Sequence, residues 1–296
     1  MSGVNFLQLL AAGITVGAVY GLLGLGFVTT LRSSRVANLA QGEFAMLGGM
    51  ITIFLLKTLH VPYPVSAAIA VALTAFVGIA MYQLVIAPMG RAPFFSMVMI
   101  TVGVSLFIQN GALIIWGASP ASLPGFTGDT PVRFGEVAIM PQSLWVLLLT
   151  AVILVVLYLL SNHTLLGKAM TATATDPLAA SLVGISIGGV NRWSYAISAA
   201  IGALAGLTLA PIVPMSYISG ALLFFKGLTA LILGGWGLAA GAVVGGFALG
   251  IIETFGASLL PAGYKDAIAF LVLIAILYFR PSGIVGGSHE GELKLR

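Results

Sequence analysis

Glu43, Lys226 and Glu253 are charged side chains set inside or beside long apolar runs. An ionisable group in such a run is expensive to bury, which makes it a first candidate for function. Glu43 follows Asn38, Gln41 and Gly42, so one carboxylate and two amides gather where a polar solute or ion could be met. The alternative is a carboxylate in a first helical turn, favoured by the helix dipole and by nearby Arg32 or Arg35. Lys226 and Glu253 could pair across neighbouring segments, with Gly227 and Thr229 beside them. The favoured alternative is that Lys226 snorkels to the outer surface. Neither set forms the series of acids a proton relay needs, which counts against a proton-coupled pump. Sodium coupling through backbone carbonyls stays open.

Enzymatic chemistry has no foothold. The Gly167-Lys168 pair is followed by Ala169, and Asn162 stands where a phosphate-binding loop needs its earlier glycine. Gly24-Leu25-Gly26 lacks the third glycine of a dinucleotide fingerprint and sits in an apolar run. The chain has three His and no Cys. Paired-Cys metal spacing, disulfides and thiol catalysis are therefore excluded, and no HExxH occurs. No catalytic residue, metal or cofactor is expected.

The elements that must position the charged residues are membrane helices. Of 296 residues, 59% are hydrophobic and 7% charged, against about 25% charged in a soluble domain. Apolar runs approach the ~20 residues that span a bilayer, and no alternating strand pattern suggests a barrel. The expected fold is an all-α polytopic membrane protein, a single transmembrane domain over 1–296. Spans are predicted at 6–30, 40–57, 63–86, 94–116, 142–160, 192–213, 217–235, 237–257 and 264–280, about eight or nine crossings. The run 217–235 is short, holds Lys226 and follows Pro211 and Pro214, so it is expected to be broken or re-entrant. The net charge of +4 comes from basic residues placed singly at span ends, which implies topology and not nucleic-acid binding. Arg32, Arg35, Arg91, Lys168 and Arg280 all fall on one side if nine segments cross. The N-terminus is then outside, the C-terminus cytoplasmic, and the loop 117–141 outside with Asp129 and Glu136 against Arg133. A first span without preceding Lys or Arg reads as retained, not as a secretory signal.

One stretch between spans differs from the rest. Residues 164–185 are rich in small residues yet patterned as helix. Asp176-Pro177 reads as an N-cap with proline at the first helical position. Leu178 to Val183 then forms a short helix, stopped at Gly184, with a second short helix over Thr164 to Ala174 ahead of it. The loop 161–191 is thus a helical knuckle outside the bilayer, suited to a push from a soluble partner. Glycine rows at Gly13, Gly17, Gly21 and at Gly237, Gly241, Gly245, with Gly202 and Gly206, predict closely packed helix backbones. The run from Gly42 to Gly49 echoes that from Gly227 to Gly235, as an inverted repeat of broken helices would. Chance similarity in a chain with 38 glycines is the alternative.

Several motifs resemble those of the H-type permease of branched-chain amino-acid ABC importers. They are Asn38-Leu39-Ala40-Gln41-Gly42-Glu43 with Gly48, Gly167-Lys168-Ala169-Met170 through Asp176-Pro177-Leu178-Ala179-Ala180, and Gly184-Ile185. Lys226-Gly227-Leu228-Thr229-Ala230, Gly241-Ala242-Val243, Gly245-Gly246, Glu253 and Arg280-Pro281-Ser282-Gly283-Ile284 extend the match over essentially the whole chain. The resemblance implies a type II ABC importer-like permease in a bacterial inner membrane. Its implied partners are a paralogous permease, two ABC ATPase subunits, a periplasmic or lipoprotein solute-binding protein, and membrane lipid. The 164–185 block would dock on an ATPase through Leu166, Gly167, Met170, Asp176, Pro177, Leu178, Leu182 and Gly184. Thr171, Thr173 and Thr175 replace the Arg or Gln frequent in the family, so packing by Leu166, Met170, Leu178 and Leu182 is expected to hold the partner. Asn38, Gln41, Gly42, Glu43, Lys226, Gly227, Thr229 and Glu253 are the candidates for the translocation pathway. Related permeases carry urea, short amides or aromatic acids. An ion-coupled secondary transporter is the rival class, and it would work as an isolated chain.

Overall fold

The computed structural model describes residues 3–90, 92–128, 130–134, 137–259, 264–280 and 282–285. Each of the nine predicted spans corresponds to a helix: α1 (Gly3–Ser34), α2 (Gln41–Lys57), α3 (Tyr63–Met81), α4 (Phe94–Trp116), α5 (Pro141–His163), α8 (Ile187–Leu209), α9 (Ser219–Gly234), α10 (Ala239–Leu259) and α11 (Lys265–Phe279). Between α5 and α8 lie two short helices, α6 (Leu165–Thr175) and α7 (Pro177–Leu182). α3 runs on through a π-turn at Tyr82–Ile86 and a 3-10 turn at Ala87–Met89. Five helices (α1, α3, α4, α5 and α10) are long and apolar enough to cross a membrane.

α2 and α9 depart from full spans. At 17 and 16 residues they are about 25 Å long at 1.5 Å per residue, short of the ~30 Å hydrocarbon core, as is α11 at 15 residues. The expectation of a broken or re-entrant 217–235 fits α9, and α2 shares the property without having been singled out. Residues 35–40 lead into α2 as irregular chain that turns inward, with Arg35 exposed at φ +56° and Val36, Asn38 and Ala40 buried. Thr101 on α4 accepts from the Leu39 N–H at 3.1 Å, so this non-helical backbone is satisfied within the protein.

α1 is the axis of the bundle, packed by α10, α8 and α9. Where α1 crosses α10, a Cβ at Gly17 would lie 2.8 Å from both the Gly246 carbonyl oxygen and Phe247 Cα. No side chain fits there, which is how the small residues bring the two main chains together. The α10 partners of the Gly13–Gly17–Gly21 row are Gly246 and Gly250. The predicted Gly237–Gly241–Gly245 row is not one face: Gly241 and Gly245 meet α9, and Gly237 sits at φ +76° in the α9–α10 turn. Gly202 and Gly206 on α8 press on Phe44 and Ala45 of α2, as a close-packed pair should.

The loop before α5 carries a small antiparallel hairpin, β1 (Val132–Phe134) with β2 (Val137–Ile139). The expected Asp129 and Glu136 fall outside the described residues, as do Arg91 and the tail beyond 285. Ala121 and Met215 exchange backbone hydrogen bonds of 2.9 and 2.7 Å, pinning this loop to the α8–α9 connection. At the opposite end, the N–H groups of Ile284 and Val285 donate to the carbonyls of Leu233 and Gly234 at 2.8 and 3.1 Å. The Arg280–Ile284 motif therefore leads the chain back to satisfy the last carbonyls of α9.

Candidate functional site

The centre of the bundle is built where the N-terminus of α2 meets the middle of its neighbours. Asn38 Oδ1 accepts from the Ala40 N–H at 3.0 Å, turning the chain into α2. Gln41 and Ser198 then lock α2 to α8: the Gln41 amide donates to the Ser198 carbonyl at 3.2 Å, and the Ser198 hydroxyl lies 2.7 Å from Gln41 Oε1. That hydroxyl also lies 2.7 Å from the Gly26 carbonyl of α1. Gly42 lies on the start of α9, where a Cβ would run into Gly220 and Phe224. The first turns of two short helices thus abut beside Gly26 of α1 and Ser198 of α8. This is the contact that an inverted pair of broken helices makes.

Glu43 lies at that junction with only 1% of its surface exposed. Its Oε1 accepts from the Ser105 hydroxyl of α4 at 2.9 Å, and its carboxylate abuts Gly220, where any side chain would displace it. No ion pair links it to Arg32 or Arg35 among the described residues, so that part of the expectation fails. The dipole part fits: Glu43 is in the first turn of α2, with the first turn of α9 against it. Glu43 Oε2 and Asn38 Nδ2 are buried without a hydrogen-bond partner. Unspent capacity of this kind inside a packed core calls for an explanation beyond stability.

Lys226 and Glu253 form a second, separate cluster. Lys226 Nζ lies 2.9 Å from Glu253 Oε1 and 2.8 Å from Asp266 Oδ1, and the Lys226 side chain is 11% exposed. The preference for a snorkelling lysine is therefore corrected. The Tyr20 hydroxyl donates to Glu253 Oε1 at 3.0 Å, and Lys226 Nζ sits 5.3 Å from the Tyr20 ring centre. One charge cluster ties α1, α9, α10 and α11 together. Pairing of this kind offsets the cost of placing a carboxylate inside a membrane bundle. Gly227 and Thr229 join neither cluster: Gly227 packs on Leu23, and the Thr229 hydroxyl donates to the Phe225 carbonyl of its own helix.

The loop between α5 and α8 folds as its capping residues dictate. Thr164 Oγ1 accepts from the Gly167 N–H at 3.0 Å, starting α6. Asp176 ends α6 and starts α7, its Oδ1 accepting from Leu178 and Ala179 at 2.9 and 3.1 Å, with Pro177 following. Gly184 at φ +85° stops α7, a conformation only glycine takes without strain. The predicted docking residues separate into two groups. Leu178 and Leu182 are 67% and 80% exposed. Leu166 and Met170 are half-buried and face inward grooves. Gly167 is buried on the α5 main chain at Leu160 and Ser161, so its role is close packing. Leu165 and Val183, 87% and 77% exposed, extend the apolar surface and were not anticipated. Ser198, Ser105, Tyr20 and Asp266 were missed too. Ser198 had a signal, since it begins the four-residue spacing continued by Gly202 and Gly206.

Between the elbow and the core lies a cavity of about 580 Å³, bounded by the ends of α1 and α5, by α6, and by the first turn of α10. Among the described residues no group of His, Asp or Glu could hold a metal ion.

Residues 9–277 match the family described as "Branched-chain amino acid transport system / permease component". The chain belongs to this family. The permease protein BraD of the high-affinity branched-chain amino acid transport system of Pseudomonas aeruginosa is 30% identical, over 95% of this chain and 96% of its own length. The corresponding permease protein LivH of Escherichia coli K12 is 29% identical over the same shares. A probable branched-chain amino acid transport permease of Methanocaldococcus jannaschii is 28% identical over 94% and 92%. The solved structure of PsaBC from Streptococcus pneumoniae in complex with Fab has the same fold, with a TM-score of 0.53 at 16% identity over 93% of this permease.

Proposed function

We propose that the chain is the transmembrane permease subunit of an ATP-driven importer for branched-chain amino acids. It would form the pathway with a paralogous permease, accept solute from an external binding protein, and be driven by two separate ATPase subunits. The observation that carries this reading is the α6–α7 elbow. It presents Leu165, Leu178, Leu182 and Val183 at one end of a chain that has no nucleotide-binding loop of its own. Exposed leucines on a capped helical elbow suit burial in a partner's groove. The elbow is continuous with α5 and α8, and α8 carries Ser198 to the central junction, so a push on the elbow reaches Gln41, two residues from Glu43, through the Ser198 hydrogen bonds.

In this reading the elbow faces the cytoplasm, the N-terminus lies outside, and the membrane is the bacterial inner membrane. The pathway opens where α2 and α9 meet. Glu43 Oε2 and Asn38 Nδ2, free of partners in the closed junction, suit contacts to the ammonium and carboxylate of an amino acid. A ligand shifts such an equilibrium only by binding its states differently. ATP exerts that difference through the elbow, and the solute through the junction.

The test is reconstitution of the permease pair in liposomes, with and without the ATPase subunits and the binding protein. Leucine uptake that needs ATP and every partner is the expected result. Uptake by the isolated chain on a sodium or proton gradient would replace this reading with a secondary transporter.

A further inference from the structure

We propose that the cavity beneath the elbow is a binding site for the headgroup of an anionic phospholipid. Its volume of about 580 Å³ is in the range of small-molecule sites. Arg32 and the first-turn residues Ala239 and Ala240 of α10 line one part of it. Arg32 has no carboxylate partner among the described residues. A helix N-terminus favours negative charge, and guanidinium matches phosphate oxygens. The hydroxyls of Thr29, Ser33 and Thr171 complete the polar part. Basic pockets between membrane helices near one membrane face are suited to lipid headgroups.

Two observations choose the occupant. No Asp or Glu lines the cavity, so a zwitterionic amino acid would bring its ammonium to an arginine and a positive helix end. A phosphodiester brings only the charge that is matched. The rest of the lining is apolar, including Leu154, Leu157 and Met170, and Tyr158 on the rim is 63% exposed on α5. The outer face of α5 is a run of exposed aliphatic residues, among them Val152, Val155 and Leu159, so the cavity borders a surface that lipid chains would cover. A lipid entering from that side seats its phosphate on Arg32 and its chains along α5. It then lies between α6 and the ends of α1 and α10, where it props the elbow. This inference goes beyond the transport reading and is tested without measuring transport.

The full-length permease, with its partner subunits, is purified in mild detergent and its bound phosphatidylglycerol counted by native mass spectrometry. Variants Arg32→Gln, Arg32→Lys, Arg35→Gln and Met170→Trp are compared. Loss of one charge-assisted phosphate contact should lower occupancy about tenfold in Arg32→Gln. Arg32→Lys should regain most of it, and Arg35→Gln, outside the lining, should keep it. Met170→Trp should lose the lipid with Arg32 intact, because it fills the space. Added inorganic phosphate or leucine should not displace the lipid. Equal retention by Arg32→Gln or Met170→Trp, or an equal loss in Arg35→Gln, overturns the proposal. Displacement by inorganic phosphate overturns the lipid as the source and assigns the site to a free anion.

Discussion

The central junction and the elbow are built on opposite principles. At the junction the contacts that hold the helices together bridge elements far apart in sequence: Gln41 to Ser198, Ser198 to Gly26, Glu43 to Ser105. Its glycines leave no room for a methyl group between main chains. At the elbow the hydrogen bonds are local, from Thr164 to Gly167 and from Asp176 to Leu178 and Ala179, and Leu165, Leu178 and Leu182 face outward. A region held by local caps can move as a unit without breaking long-range contacts, whereas one held by cross-helix bonds has few arrangements between closed and open. A small displacement of the first is suited to switching the second.

The largest expected effect breaks the junction's packing. A Cβ at Gly206 would overlap the Ala45 carbonyl of α2. Overpacking ordinarily costs about 1–3 kcal/mol, and a side chain driven into the main chain of a neighbouring helix lies above that range. Gly206→Leu is expected to abolish the monodisperse permease peak on size exclusion in detergent. Gly103→Leu, where an added Cβ meets nothing within 4 Å, should leave the peak in place. A folded Gly206→Leu protein would mean that α2 and α8 are not held as closely as the glycines imply.

Next in size is the Lys226 cluster. Removing one member of a buried pair costs about 3–5 kcal/mol, because the other charge is stranded. Lys226 keeps Asp266 at 2.8 Å, which places Glu253→Gln at the lower end of that range. Replacing both residues, as Lys226→Met with Glu253→Leu, should cost less than Glu253→Gln alone when thermal unfolding is measured. If the double variant is the less stable, the cluster contributes net stability and does not merely avoid a penalty. In neither variant should the junction's response to the elbow change, because the two clusters share no contact.

The elbow variants separate docking from folding. Leu178→Asp with Leu182→Asp puts charge on two exposed positions, so the unfolding temperature should hold. Truncating buried contact residues of an interface costs about 2 kcal/mol or more, so ATPase binding should weaken about thirtyfold. Unaltered binding with unaltered transport would remove the elbow from the mechanism.

How much was legible follows the same division. The elbow could be read in detail from Thr164, Asp176, Pro177 and Gly184, because a cap acts on N–H groups two or three residues away. The spans could be read because apolar length is a local property. The pairing of glycines could not: four-residue spacing shows that a face is small, not which other face meets it. Gly246 and Gly250 meet the α1 row, whereas Gly241 and Gly245 meet α9. Lys226 was expected at the surface because Asp266 and Tyr20, the groups that keep it inside, are 40 and about 206 positions away along the chain. Glu43 was read as a charged residue at the end of a span and in a first turn. Its Ser105 partner had no signal at all, since a lone serine in an apolar helix is ordinary.

The smallest expected effect is also the sharpest for the elbow. Asp176 Oδ1 caps α7, accepting two main-chain N–H groups at 2.9 and 3.1 Å. Removing such a cap costs about 1 kcal/mol. Asp176→Ala should therefore leave global unfolding within a few degrees of the parent while α7 frays. Hydrogen exchange at Ala179 and Ala180 should rise about fivefold with Lys57 and Ala203 unchanged, the ratio expected from a local loss of that size. Asp176→Asn keeps the acceptor and loses only the charge, so exchange should return close to the parent value. If transport follows exchange through this pair, the shape of the elbow carries the coupling. If transport falls equally in both while exchange does not, the carboxylate itself makes a contact in the partner, and the elbow is held by charge as well as by packing.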